Sequence, residues 1–568
     1  MATRELYKHR VALRCCPCCS LKPFPVAAPI TRISASQQAM ALLRSLLVAT
    51  VLSTALSAVA HAQNAIPVNP TPSNAGGPLL QSFVSYSIEF AFFPDYAGNA
   101  SYPNDFSNNL LESISAFSGT KPYIRVGGNT QDYALYDASL KVATNGTYIP
   151  SISKDYPLIL SIGPSYFESY STWPNTKFIH GFNLAKNTTD DRVKLLDTVP
   201  LVCKALGGGK LLYWELGNEP DLYKTSAQGH VRPPTWTESD YVSEWLNVTG
   251  KIGESMAKSC TEMATSSEYQ YIAPSLAGTN NSLKPLTIWK DNLDTADDIA
   301  LFSSHNYIGG ATQPGVTLQG TLMNHTSTVV SVSKQIDEAN ALAQAGMTLP
   351  FILGETNSLY NEGAPGLSNA FGAALWGVDF NLYCAATGIK RVHMHQGTNY
   401  RYASWQPVDT SATTKGTKPP YYGNIAVAAT LGDLTVDQVQ VQHLPLPEDT
   451  EAAYAVYANS TLARVMVINM VQYNYSAATV DDRPAVTYNF TVPTSCAGVG
   501  VVQRLMANGS DAITGITFNG HSYNYELDLG KPWLVGNVTK DEITWVGEDG
   551  TFGVKVPYSS AALVQLSC

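Results

Sequence analysis

LLYWELGNEP (211–220) sets the reading of the whole chain. An apolar run of strand length ends abruptly in Asn218, Glu219 and Pro220, so polar side chains and a chain breaker sit at the carboxyl end of a strand. The same grammar recurs on either side: FVSYSIEF (83–90), PYIRVGG (122–128), FIHGFNL (178–184), YIAPSLAG (271–278), LFSSHNY (301–307), PFILGET (350–356) and RVHMHQG (391–397). Amphipathic segments such as TSTVVSVSKQIDEANALAQAG (326–346) fall between them. Eight strand–helix units predict an α/β fold, a (β/α)8 TIM barrel over residues 63–430. LILSIG (158–163) competes with FIHGFNL for the third strand, and the latter is preferred. Beyond residue 430 the rhythm becomes AAYAVYANS, ARVMVINMVQYN, AVTYNFTVP, VGVVQRLMAN, SYNYELDLG and SAALVQLSC, alternating runs between turn residues. That pattern predicts an all-β sandwich over 431–568, with residues 65–68 adding a strand to it.

Composition bounds the class. Hydrophobic residues make up 45% of the 568 and charged residues 14%, enough for a large core and unlike a disordered chain. Residues 40–62 read MALLRSLLVATVLSTALSAVAHA: Arg44, an apolar stretch, and Ala60-His61-Ala62 as a cleavage site, the pattern of a secretory signal peptide. Met40 is then expected as the start, and residues 1–39 as a gene-model extension. That extension holds Cys15, Cys16, Cys18 and Cys19, which lack a second ligand cluster to make a zinc site. Residues 1–62 carry seven Lys/Arg and one acidic residue, so the formal charge of −10 becomes −16 without them. Such a balance argues against nucleic acid or an anionic membrane as partner. Eleven N-x-[ST] sequons follow the signal, from Asn99 to Asn537, in keeping with a secreted, extracellular glycoprotein. Of the five remaining cysteines, Cys496 with Cys568 and Cys203 with Cys260 are the expected pairs, and Cys384 is expected as a buried thiol.

Barrel active sites lie where the strands end. The polar residues there are Glu89, Asn129, Asn218, Glu219, His305, Tyr307, Glu355 and His395. Glu219 and Glu355 close strands four and seven, which face each other across the mouth. One such Glu reads equally well as a buried ion-pair member. Two in these positions match the carboxylate pair that glycosidic cleavage requires, one acid and one nucleophile. His393 and His395 alternate toward one side with His305 nearby, but no motif completes a metal site, and no cofactor is expected.

The strings WELGNEP (214–220), IRVGGNTQD (124–132), GETNSLYNEGAPGLS (354–368) and TNY (398–400) together resemble glycoside hydrolase family 79, which contains fungal and bacterial β-glucuronidases and animal heparanases. The resemblance implies Glu219 as acid/base and Glu355 as nucleophile. It implies Asn218 on the sugar 2-hydroxyl, Tyr307 orienting the nucleophile, and Glu89 and Asn129 on further hydroxyls. Tyr360, Tyr400 and backbone amides of Asn361–Gly363 would grip a glucuronate carboxylate. Heparanases carry glycines after that Tyr, whereas here Asn361 and Glu362 precede Gly363. Glu362 would repel an anionic sugar and is expected to turn away, and Arg401 is expected to be a surface or salt-bridging residue. The implied activity is a retaining exo-β-glucuronidase releasing terminal glucuronic acid, plain or 4-O-methylated, from glycans. A heparanase-like endo-enzyme is the first alternative, and the acidic chain without basic clusters argues against it. A non-catalytic sugar-binding protein is the second, and the intact Glu pair argues against that.

Overall fold

The computed structural model describes residues 65–226, 230–477 and 483–568. The expected extension and signal peptide, and with them the four clustered cysteines, lie outside the described residues. Eight parallel strands close into a barrel: β1 (Val84–Glu89), β2 (Ile124–Gly127), β3 (Phe178–Phe182), β4 (Leu211–Leu216), β5 (Tyr271–Leu276), β6 (Ile299–Gly310), β7 (Phe351–Tyr360) and β8 (Val392–Gln396), with β8 pairing back to β1. FIHGFNL supplies the third strand. The competing run becomes Ile159–Ile162, which pairs with Ala134–Tyr136 and Thr144–Thr147 in a small sheet between β2 and β3.

Alternation along the strands fills the barrel. Ile179, Ile272, Leu301 and Ile352 form an apolar plug with Tyr213 packed against it. Two residues further along, the inward positions turn polar: Arg125, Glu215, Ser303 and His393 are all buried. The helices on the outside begin as their sequences dictate. Thr188 with Asp191 and Thr237 with Asp240 form capping boxes on α1 (Thr189–Leu206) and α2 (Glu238–Ser259). The Cys203–Cys260 disulfide ties these two helices together. Among the described residues, no helix is long and apolar enough to cross a membrane.

After α3 (Phe371–Thr387) and α4 (Pro419–Leu431), only sheet strands and short turns of helix follow. The larger sheet runs β9 (Val439–Leu444), β10 (Glu451–Ala458), β11 (Thr461–Asn469), β12 (Ser560–Gln565) and β13 (Gly498–Met506), then three two-residue strands. Facing it are Ile66–Pro67, Ala485–Thr491 and Thr551–Pro557. Strand β10 is buried almost throughout because both its faces are covered. Ala453, Ala455 and Tyr457 enter the sandwich core with Phe490 and Val554. Ala452, Tyr454 and Val456 instead join the main core, where their sheet lies against α3. Helix α4 is buried at every position, and α3 at all but two, as expected of helices between two layers. The barrel and the sandwich therefore form one compact unit, Asn64–Cys568. Cys496–Cys568 anchors the last residue, and Cys384 is buried and free. SYNYELDLG departs from its strand reading: His521–Ser522 is strand, but Tyr525–Asp528 is a single helical turn, and Leu529 and Gly530 take positive φ angles that end it. Val439–Leu444, Glu542–Val546 and Thr551–Pro557 are strands that the sequence reading passed over.

Candidate active site

Glu219 follows β4 in the left-handed region, φ 50° and ψ 52°. A non-glycine residue there carries strain. Its amide donates to the Ser275 carbonyl at 2.9 Å, which fixes the turn against β5. Glu355 lies within β7. An oxygen of Glu219, an oxygen of Glu355 and a ring nitrogen of His305 all lie within 4.8 Å of one another. The carboxylates strung on strands four and seven are thus brought together.

Their surroundings differ. Arg125 donates to Glu355 Oε2 at 2.7 Å, and Tyr307 donates to Oε1 at 2.8 Å. Burial pushes Glu355 up, but His395, His305, Arg125 and the Tyr307 bond outweigh it and hold it down at about 2. His305 is itself pushed down to about 4 by burial, so the positive charge beside Glu355 comes from Arg125 and from His395, 3.6 Å away, which Glu355 and Glu89 raise against its burial. Among the described residues Glu219 has no Lys or Arg in contact, only His305 Nδ1 at 3.0 Å. Burial and then the charge of Glu355 raise it to about 8. One carboxyl is held ionised and the other protonated. The two glutamates and His305 could offer three donors to a metal ion, yet both Glu355 oxygens are already bonded, one of them to the Arg125 guanidinium.

Arg125 organises more than Glu355. It also donates to Glu215 at 2.8 Å, to Ser87 at 3.0 Å and to the Asn218 side-chain oxygen at 2.7 Å. With its oxygen held there, the Asn218 amide points its Nδ2 at Asn129, 3.1 Å away. Asp132 accepts the Asn218 backbone N–H at 2.9 Å and the Tyr223 hydroxyl at 2.5 Å, fixing the same loop from below.

Glu89 ends β1 as expected, but its acceptor positions are occupied. Thr130 donates its N–H and hydroxyl to Oε1 at 2.7 and 2.5 Å, and Tyr400 and His395 Nε2 approach Oε2 at 3.1 and 3.3 Å. A carboxylate has about four acceptor positions. Glu89 is therefore a hub that a sugar hydroxyl can join only by displacing a partner. Asn129 contacts Asn218 and the Tyr156 hydroxyl.

Two expectations change. Tyr360 does not join the cluster: it is 46% exposed, and its ring covers Gly310 at the end of β6, because β7 carries it past the rim. The Gly363 amide is not available to a ligand, since it donates to the Leu359 carbonyl at 3.1 Å. Glu362, expected to turn away from the sugar, is enclosed by protein: its side chain is 14% exposed, hydrogen-bonds Asp155 and lies 3.8 Å from Arg401. The sequence reading missed Arg125, Tyr402 and the pair Asp155–Tyr156. Arg125 was visible in principle, as a charge in the middle of the apolar strand IRVGG. Tyr402 is buried beside Tyr400, hydrogen-bonds the Tyr307 hydroxyl and alternates with Tyr400 along the chain.

A closed parallel barrel with one such carboxylate just after strand four and the other within strand seven is a (β/α)8 glycoside hydrolase. Residues 453–563 match the model of the glycosyl hydrolase family 79 C-terminal beta domain. A β-glucuronidase of Aspergillus niger is 62% identical over 87% of this chain and 92% of its own. A β-glucuronidase of Neurospora crassa is 54% identical over 88% and 97%. Among solved structures, a 4-O-α-L-rhamnosyl-β-D-glucuronidase of Fusarium oxysporum, in complex with Rha-GlcA, superposes with a TM-score of 0.70 at 25% identity, covering 88% of this chain and all of that one. The chain belongs to glycoside hydrolase family 79.

Proposed function

We propose that the protein is a secreted, retaining, exo-acting β-glucuronidase that removes terminal glucuronic acid from glycans by double displacement. The observation that carries the mechanism is two buried carboxylates within 4.8 Å, Glu355 bonded to Arg125 and Tyr307 and Glu219 only to His305, an arrangement that favours one ionised and one protonated group. Retaining glycosidases place the two groups about 5–5.5 Å apart, and inverting ones leave about 6.5–9.5 Å for a water. In this reading Glu355, ionised beside Arg125, attacks the anomeric carbon. Glu219, protonated, donates to the departing glycosidic oxygen and then, as a carboxylate, takes a proton from the water that releases the sugar. Asn218, locked by Arg125 and Asp132, meets the 2-hydroxyl, and Tyr307 steers Glu355. Names of relatives at 62% and 54% identity support the glucuronide. Tyr133, Tyr156, Tyr400 and Tyr402 crowd the mouth and suit a pocket for one terminal sugar. Two disulfides support export.

The test compares aryl β-glycosides: glucuronide, glucoside, galactoside, xyloside and a 4-O-rhamnosyl glucuronide. The plain glucuronide should be turned over fastest, and NMR of the first product should show the β-anomer. An α-anomer would end the double-displacement reading, and a preferred glucoside would end the glucuronidase reading.

A further inference from the structure

Asn361, Glu362 and Gly363 have φ angles of 60°, 59° and 79°, three successive residues in the left-handed region. Only the last is glycine, so the turn is strained and must be held from outside. Arg401 holds it. Its backbone N–H donates to the Glu362 carbonyl at 2.8 Å, its Nε to the Gly363 carbonyl at 2.9 Å and its Nη2 to the Asn361 carbonyl at 3.2 Å. The same guanidinium meets both oxygens of Asp155, at 2.6 and 3.1 Å. The Glu362 side chain folds into this arrangement and hydrogen-bonds Asp155. Two carboxylates cannot hydrogen-bond each other unless one carries a proton. Arg401 meets Asp155 at 2.6 and 3.1 Å but Glu362 only at 3.8 Å, so the proton falls to Glu362.

The cluster lies at the sugar end of the barrel. Tyr156, next to Asp155, meets Asn129, and Arg401 is next to Tyr400. We propose that Glu362 is a specificity-determining residue: the proton it shares with Asp155 beside Arg401 removes a negative charge from the pocket wall and so admits an anionic sugar. The inference rests on the glucuronidase reading. A plain carboxylate at this position would oppose the substrate. A carboxyl kept neutral by an acidic partner does not, and it ceases to be neutral when the pH rises.

The groups facing Glu362 are Asp155 and Tyr156 from the segment before β3, Arg401, Tyr400 and Tyr402 from the segment after β8, and Glu89 from β1. Burial and the charge of Asp155 raise Glu362 to about 8, against the opposing pull of Arg401. Lys418, whose Nζ donates to the Tyr400 carbonyl at 2.8 Å, is pushed down to about 7 by burial and lies near Arg401. It could also weaken anion binding as pH rises, so the experiment must separate the two.

Binding of D-glucuronate and D-glucose is measured by calorimetry from about pH 6 to about pH 9, in a Glu219→Gln background that removes the catalytic carboxyl ionising in this range, while Asp221, raised to about 7 by burial, is common to every variant compared. The expected result is that the Kd for D-glucuronate rises about tenfold while that for D-glucose stays level. Adding Glu362→Gln, which keeps the bond to Asp155, should flatten the rise. Adding Asp155→Asn should move it to lower pH, because Glu362 then loses the partner that keeps it protonated. A rise that persists in the Glu362→Gln variant belongs to Lys418 or another group and overturns the proposal, as does no rise at all or an equal change for D-glucose. Preference for D-glucose at about pH 6 would instead overturn the glucuronidase reading, independently of the pH series.

Discussion

Glu355 in the barrel mouth and Phe490 in the sandwich are both buried, and the environments that bury them share almost nothing. Phe490 stacks on Phe552 at 5.3 Å within a cluster of Val, Ala, Leu and Tyr side chains. Its burial is favourable in itself, and its neighbours are interchangeable apolar volume. Glu355 is surrounded by Arg125, Tyr307 and His395, and its burial is tolerated only because each oxygen has a donor. The sandwich therefore contributes stability without chemistry, whereas the mouth holds charges at a cost in stability and gains two carboxyls of opposite protonation.

The largest expected effect tests the mouth. Glu219→Gln and Glu355→Gln should each lower kcat by about 10³-fold or more, with the fold intact by circular dichroism. Near-normal turnover by either folded variant removes that residue from its role. The counterpart is Phe490→Ala, which should cost about 3–5 kcal/mol in denaturant unfolding while leaving kcat unchanged. A folded Phe490→Ala protein with impaired kcat would mean that the sandwich does reach the chemistry.

A pH series sharpens the contrast between the two carboxyls. Glu219 is raised to about 8, so it keeps its proton below that pH and loses it above. Glu355 is held at about 2, so it is ionised above that pH. At saturating glucuronide, kcat should be level between these limits and fall as pH rises through about 8. Tyr307→Phe removes a bond to ionised Glu355 and should move the acid limb upward by about one pH unit, leaving the alkaline limb in place. An alkaline limb that moves instead would reverse the assignment of acid and nucleophile.

The sequence revealed the barrel because its signal is periodic: eight apolar runs ending in polar residues can be read without knowing what they touch. It also exposed Glu219 and Glu355, since an acid closing an apolar strand is conspicuous. Contacts between distant segments were not legible. Arg125 is 90 residues from Glu215 and 230 from Glu355, and only barrel closure makes them neighbours. The fate of Glu362 depended on Asp155, which lies in a loop with no pattern of its own. Tyr360 was misplaced for the opposite reason. The motif around it was legible, but the length of β7 was not, and β7 runs to Tyr360 itself rather than ending at Thr356.

The smallest effect concerns recognition of the substrate carboxylate, where the structure divides two tyrosines that the sequence treated alike. Tyr360 is exposed, with its ring over Gly310, so Tyr360→Phe should leave the glucuronide-to-glucoside ratio of kcat/KM within about twofold. Tyr400 is buried and donates to Glu89 at 3.1 Å. Tyr400→Phe keeps the ring and removes that donor. Glu89 then loses one of its partners whichever sugar is bound, so both substrates should slow. If the hydroxyl also turns to the substrate carboxylate, the glucuronide loses a second, charge-assisted bond of about 1.5–3 kcal/mol, and kcat/KM for it falls about tenfold to a hundredfold further than for the glucoside. The two substrates therefore share the cost at Glu89 and differ only in the carboxylate contact, which makes their ratio the quantity to measure. An equal fall for both would show Tyr400 as a support for Glu89 alone. Carboxylate recognition would then fall to the backbone amides of Asn361 and Glu362, in the strained turn that Arg401 holds.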